Sequence, residues 1–183
     1  LATAFLPAAV FGFLLAGSIE EHLFLPEVVA GSLFLGGIIL VLIERKKHSI
    51  CFETVSEMPF KGALFIGLFQ CLAMVPGTSR SAATIIGALV LGASRKLAAE
   101  FSFYLAIPTI LAASVYSLLK EGAHLSGNDL LVLSVGFFIS FVVSLGVIRF
   151  LMDYIRKHSF IVFGYYRIVL AALVLLWLIW GKP

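Results

Sequence analysis

The chain has 183 residues, of which 61% are hydrophobic and 13% charged, with a mean hydropathy of +1.11. A soluble domain carries about 45–50% apolar and about 25% charged residues, so both departures exclude one and indicate an integral membrane protein. The net charge of +3 is small, and the basic residues stand in short clusters between apolar runs, which speaks against a nucleic-acid-binding face and fits orientation signals.

In chain order, a first apolar run covers about Leu1 to Gly17 and ends at the acidic "SIEEH". No charged region precedes it, which argues against a signal peptide, and an opening Leu rather than Met suggests that the natural N-terminus lies upstream. A second run, about Pro26 to Ile43, ends at "ERKKH", and a polar linker follows to Pro59. Next comes an apolar stretch from about Phe60 to Leu91, then runs at about Leu97 to Leu119, Leu130 to Met152 and Phe160 to Trp180. Strand-type alternation is absent, so the expected fold is all-α, a polytopic helical membrane protein with room for about five or six passes. Cys51 and Cys71 lie in unlike contexts, one polar and one apolar, so neither a disulfide nor a metal-ligand spacing is expected.

The stretch from Phe60 to Leu91 is too long for one comfortable span, and Pro76-Gly77 at its centre is a natural helix break. The basic clusters decide its course. A single crossing would put "ERKKH" and "SRK" (Ser94 to Lys96) on opposite sides of the membrane. If the chain instead enters and returns on one side, both clusters fall inside together with "IRKH" (Ile155 to His158), and Lys120 is the basic exception. The reading is therefore a re-entrant hairpin of two half-helices, about Lys61 to Val75 and Ser81 to Leu91. Fifteen helical residues rise about 22 Å against a hydrocarbon core of about 30 Å, so the tip stops at or beyond the midplane.

At that tip lies "PGTSRS". An arginine at such depth costs at least about 2.5–3.5 kcal/mol and calls for a partner, and no acid lies within a helical turn of Arg80. A helix N-terminus beginning at Ser81, a glycine permitting close approach and the hydroxyls of Thr78, Ser79, Ser81 and Thr84 together form an anion cradle. The competing reading has the hydroxyls satisfying freed backbone groups and Arg80 paired with a distant glutamate.

The segment "FQCLAMVPGTSRSAATIIGALVLGASRKLAAEFSFYLAIP", Phe69 to Pro108, resembles the second signature region of the undecaprenyl-diphosphate phosphatases of the bacitracin-resistance type. The likeness continues weakly in "SFIVFGYYRIVLAA". It implies an inverted-repeat fold, with residues 1–59 closing a first repeat and 60–183 forming the second. It also implies removal of the terminal phosphate from undecaprenyl diphosphate, yielding the lipid carrier for bacterial wall synthesis, in the plasma or inner membrane. Mg²⁺ or Ca²⁺ is the implied cofactor, and a polyprenyl diphosphate lipid, the bilayer and a homodimer are the expected partners. Two departures stand out. Ala82 replaces the usual glycine, and the family's first signature region, with paired glutamates and a Ser- and His-bearing stretch, has no counterpart. The chain thus reads as the C-terminal two-thirds of such a protein, inactive by itself, with its metal ligands expected upstream. Gln70 and Met74 stand where an inverted repeat would place the glutamates, and neither is an acid or base.

On this reading Arg80 clamps the diphosphate. Gly77, Thr78, Ser79, Ser81 and Thr84 bind its oxygens, and Ser79 serves as a catalytic ligand more than as a nucleophile, since no local base activates it. Lys96–Glu100 and Arg149–Asp153 have helical pair spacing, Arg167 reads as a snorkelling residue, and His22, His48, His124 and His158 as loop histidines. Gly31, Gly36, Gly87 and Gly92 read as close-approach positions. The alternative function is an anion or phosphate-lipid transporter, which also uses broken helices.

Overall fold

The computed structural model describes residues 1–46, 49–121 and 126–180, with residues 15–22 and 121 described by their backbone alone. It is all-α: α1 (Ala2–Leu23), α2 (Pro26–Arg45), α3 (Phe60–Cys71), α4 (Arg80–Val90), α5 (Arg95–Glu121), α6 (Gly127–Lys157) and α7 (Ile161–Trp180). Four of these, α2, α5, α6 and α7, are long and apolar enough to cross a membrane. The first run contributes a shorter apolar stretch, Ala2–Leu14, and α1 continues through "SIEEH", which the hydropathy pattern placed in a loop. His48 and His124, and the side chain of His22, lie outside the described residues.

The stretch from Phe60 to Leu91 is broken where expected. α3 tightens into a 3₁₀ turn at Leu72–Met74, the chain reverses through Val75–Ser79, and α4 runs back along α3. A Cβ on Gly87 would lie 2.9 Å from Phe69 Cβ, so the two half-helices meet tightly near their middles. The base of the hairpin is closed by backbone bonds: Cys51 N–H donates to Gly92 O at 2.8 Å, and Ser94 N–H donates to Phe52 O at 2.9 Å. Both legs therefore start and finish at one end of the molecule. That end is also where Glu44, closing α2, accepts from the Arg95 guanidinium at 2.7 Å and from Phe160 N–H at 3.2 Å. Arg45, Lys46, Arg95, Lys96, Arg156 and Lys157 thus gather on one side, as the positive-inside pattern requires.

Glu44 joins three elements at this end while only 2% of its side chain is exposed, whereas Arg95 is 49% exposed. Removing the carboxylate leaves Phe160 N–H and the guanidinium short of an acceptor. Glu44→Ala is expected to destabilise the fold by about 2 kcal/mol, discounted for the wet arginine and read as a lowered melting temperature in lipid.

α2 lies along α7 with glycines at the contact. A Cβ on Gly37 would meet Gly164 O at 2.8 Å, and Ala30, Leu40, Val41 and Ala171 are buried nearby. Without a hydrophobic force between helices in lipid, such backbone approach is what holds them. α1 lies along α3, where Gly67 faces the Ala4 backbone. One core runs from Ala4 and Leu40 through Ile66, Ile86, Leu97 and Phe101 to Ile155, so residues 1–59 and 60–183 share it. Of the four glycines expected at close approaches, Gly36, Gly87 and Gly92 have neighbours within 4 Å, but Gly31 meets nothing there. Lys96 and Glu100 pair at 3.7 Å. Asp153 pairs with Arg156 at 3.7 Å rather than with Arg149, because a three-residue step at the helix end brings that guanidinium over it. His158 caps α6 and stacks on Tyr154, with ring centroids 4.3 Å apart.

Candidate functional site at the hairpin tip

α4 begins one residue earlier than its hydroxyls suggest, at Arg80, with Ser79 as N-cap. Ser79 Oγ accepts from Ala82 N–H at 3.4 Å and lies 3.3 Å from Ser81 Oγ. Its backbone sits at φ 67°, left-handed space that a non-glycine residue enters only under constraint. With Ala82 N–H on Ser79 Oγ and Ala83 N–H on Ser79 O, the N–H groups of Arg80 and Ser81 are the first-turn donors left beside these two exposed hydroxyls.

The tip is deep. Ser32 Oγ donates to Pro76 O, and Ser32 stands thirteen residues before Arg45, about 20 Å of helix from the basic end. Gly77 has φ 88°, and a Cβ there would run into Ser32 Oγ and Val29 of α2. The glycine thus lets α2 approach the backbone of the turn closely. Thr78 N–H closes the turn on Val75 O at 3.2 Å.

Arg80 has no carboxylate partner among the described residues. Its Nη1 donates to Ser102 O on α5 at 2.8 Å, and the rest of the half-buried guanidinium faces a cleft of about 1170 Å³ between α5 and α6, beside Thr109, Ser114 and Ser134. Ser79 and Ser81 belong to a different cleft. They line a second cleft of about 360 Å³ with Ser102 and Arg167, and its walls, Leu33, Ile85, Phe103, Ile155 and Phe160 among them, are apolar. The tip therefore presents hydroxyls on one side and a guanidinium on the other, with the N-terminus of α4 between them.

Two residues are placed differently from expectation. Thr84 is 1% exposed, and its hydroxyl is committed to Arg80 O at 3.1 Å, Ser81 O at 3.0 Å and Ser102 Oγ at 2.8 Å. It lies a full turn into α4 and braces α4 against α5, with its hydroxyl committed within the protein. Thr84→Val is expected to cost about 1 kcal/mol of stability and to leave any activity of the tip within about threefold of wild type, read by melting and turnover in parallel. Arg167 does not snorkel. It is 7% exposed, and its Nη2 donates to Gly77 O at 2.9 Å and Thr78 O at 2.8 Å. An arginine flanked by apolar residues several positions into a span is the signal that could have found it.

Among the described residues no three His, Cys, Asp or Glu side chains stand together, and the tip itself carries two guanidiniums. These residues do not fit a divalent cation. Gln70, at the position of an expected acid, is 3% exposed and lies 3.5 Å from Thr109 Oγ1.

Comparison with known proteins adds the decisive observation: residues 1–173 match the family described as bacitracin resistance protein BacA. The chain belongs to the BacA family. The match takes in nearly all of the chain, well beyond the Phe69 to Pro108 signature, and gives no support to the expectation of an absent catalytic half. Among curated BacA relatives, the chain is 52% identical over 172 residues to undecaprenyl-diphosphatase 1 of Clostridioides difficile, covering 94% of this chain and 63% of that protein. It is 49% identical over 178 residues to the undecaprenyl-diphosphatase of Enterococcus faecalis, covering 96% and 64%. It is also 49% identical over 175 residues to that of Ectopseudomonas mendocina, covering 96% and 63%. The chain thus spans a little under two thirds of the length of these relatives. With four helices able to span and this membership, it is a multi-pass protein of the bacterial cell membrane.

Proposed function

We propose that the whole protein hydrolyses undecaprenyl diphosphate to undecaprenyl phosphate and inorganic phosphate, returning the lipid carrier to wall synthesis and so conferring resistance to bacitracin. One observation carries this reading. A helix N-terminus flanked by hydroxyls and guanidiniums is held about 20 Å along α2 from the basic end, beside a cleft with apolar walls. That combination suits a ligand with a doubly charged head and a hydrocarbon tail.

A diphosphate centred over the start of α4 lies between the two clefts. Arg80 reaches it from the α5 side with the donors not used on Ser102, and a guanidinium forks onto two oxygens. Ser79 and Ser81 donate from the other side, and the first-turn N–H groups complete the shell. Phosphoryl transfer depends mostly on such positioning and charge stabilisation, which these groups supply as the leaving phosphate gathers charge. Ser79 acts as a ligand, since its hydroxyl has no histidine or carboxylate beside it among the described residues. The Mg²⁺ or Ca²⁺ dependence suggested by resemblance remains part of the proposal for the whole protein, and no step here passes through a cation.

Two separate clefts that share the start of α4 favour a second reading, transport of a phosphate-bearing lipid or anion. Full-length protein in liposomes separates them. Hydrolysis predicts inorganic phosphate released from undecaprenyl diphosphate. Movement of phosphate-bearing solute without release would replace it with the transport reading.

A further inference from the structure

The hairpin tip has no regular secondary structure from Val75 to Ser79, yet it carries a left-handed serine at the centre of the site. Something must hold it there. Ser32 takes one carbonyl, that of Pro76, and the next two carbonyls along the chain, Gly77 and Thr78, are both taken by Arg167. The guanidinium has no carboxylate partner among the described residues, and its Nε has no hydrogen-bond partner there. A buried cation of this kind has no counter-charge to explain its position. Room for it is made by Gly36 of α2, where a Cβ would stand 2.6 Å from Nη2.

We infer that Arg167 is a positioning residue, a latch on α7 that fixes the tip of the hairpin and thereby the backbone of Ser79 and the first turn of α4. With the Thr78 carbonyl turned toward Arg167, the Ser79 N–H of the same peptide unit points the opposite way. Two bonds from one nitrogen to consecutive carbonyls thus set both peptide planes that lead into the strained residue. Lysine, with a compact head, can satisfy one of these carbonyls but does not reproduce the planar geometry.

The test is hydrogen exchange on the full-length protein in lipid discs, comparing wild type with Arg167→Met, Arg167→Lys, Gly36→Ala and Gly31→Ala. Gly36→Ala puts a methyl where the guanidinium lies, whereas Gly31→Ala, five residues earlier on the same helix, meets nothing within 4 Å. Amides of residues 78–83 are expected to exchange about tenfold faster in Arg167→Met and Gly36→Ala, less so in Arg167→Lys, and at the wild-type rate in Gly31→Ala. Should Arg167→Met fail to fold, Gly36→Ala carries the test. Unchanged exchange at the tip in the folded variants overturns the inference, as does acceleration spread equally along α2 and α7. Exchange needs no substrate, so this arm stands or falls apart from the hydrolase reading. A kinetic arm rests on that reading: Arg167→Met and Gly36→Ala should lower kcat more than they raise KM, with partial recovery in Arg167→Lys and wild-type kinetics in Gly31→Ala.

Discussion

Replacing Arg80 by alanine is expected to reduce phosphate release from undecaprenyl diphosphate by about 100- to 1000-fold while the protein still folds. The size follows from where the guanidinium stands. It is half-buried, so its field is poorly screened, and its one hydrogen bond among the described residues, to Ser102 O, fixes the group without neutralising it. The N-terminus of α4 adds to the same positive potential. On the proposed reading, removing the charge takes away a contact that strengthens as negative charge gathers on the departing phosphate. Arg80→Lys keeps the charge but loses the fork, and should recover about a tenth of the activity. Turnover by Arg80→Ala within a few-fold of wild type, measured on protein of unchanged melting temperature, would remove Arg80 from the reaction.

Gly77→Ala is expected to be the most damaging single methyl in the chain. The residue sits at φ 88°, and the added Cβ would run into Ser32 Oγ and the Val29 backbone. Left-handed strain and backbone overlap each cost about 1–3 kcal/mol, and neither can relax without moving the tip away from α2. A loss of about 3 kcal/mol, together with most of the activity, is the expected outcome. Gly146→Ala, whose Cβ meets nothing within 4 Å, should melt as wild type does. Equal melting of the two variants would mean that the tip is not seated against α2 as described.

The broken helix was legible because three independent signals agreed. Pro76-Gly77 marks the break, the stretch from Phe60 to Leu91 is too long for one comfortable span, and the basic clusters demand a return to the same side. Those are local or compositional facts, and a sequence carries them directly. The partners of the tip are different in kind. Ser32, Gly36 and Arg167 come from helices 40 to 90 residues away, and no spacing rule links them to Gly77. Arg167 was misread for that reason: snorkelling depends on depth, whereas its burial depends on the gap left by Gly36. The partners of Thr84 are hidden for the opposite reason. Its hydroxyl is close in sequence to the others, but a helical turn carries it to the face where Ser102 waits. The start of α4 at Arg80 turns the most interesting serine into a cap, which the residue order permitted but did not select.

The central claim is that the first turn of α4 receives the diphosphate head of a lipid. With Cys51, Cys71 and every other cysteine of the full-length protein replaced by alanine, Ser81→Cys supplies a single thiol in that turn. Its rate of modification by a water-soluble thiol reagent is then measured in liposomes, with and without a methylene-bridged, non-hydrolysable undecaprenyl diphosphate analogue. At about ten times the dissociation constant the analogue should slow labelling about tenfold, and inorganic sulfate at the same concentration should not. Labelling at one rate with and without the analogue, under conditions where it is shown to bind the protein, would place the lipid head elsewhere and contradict the account.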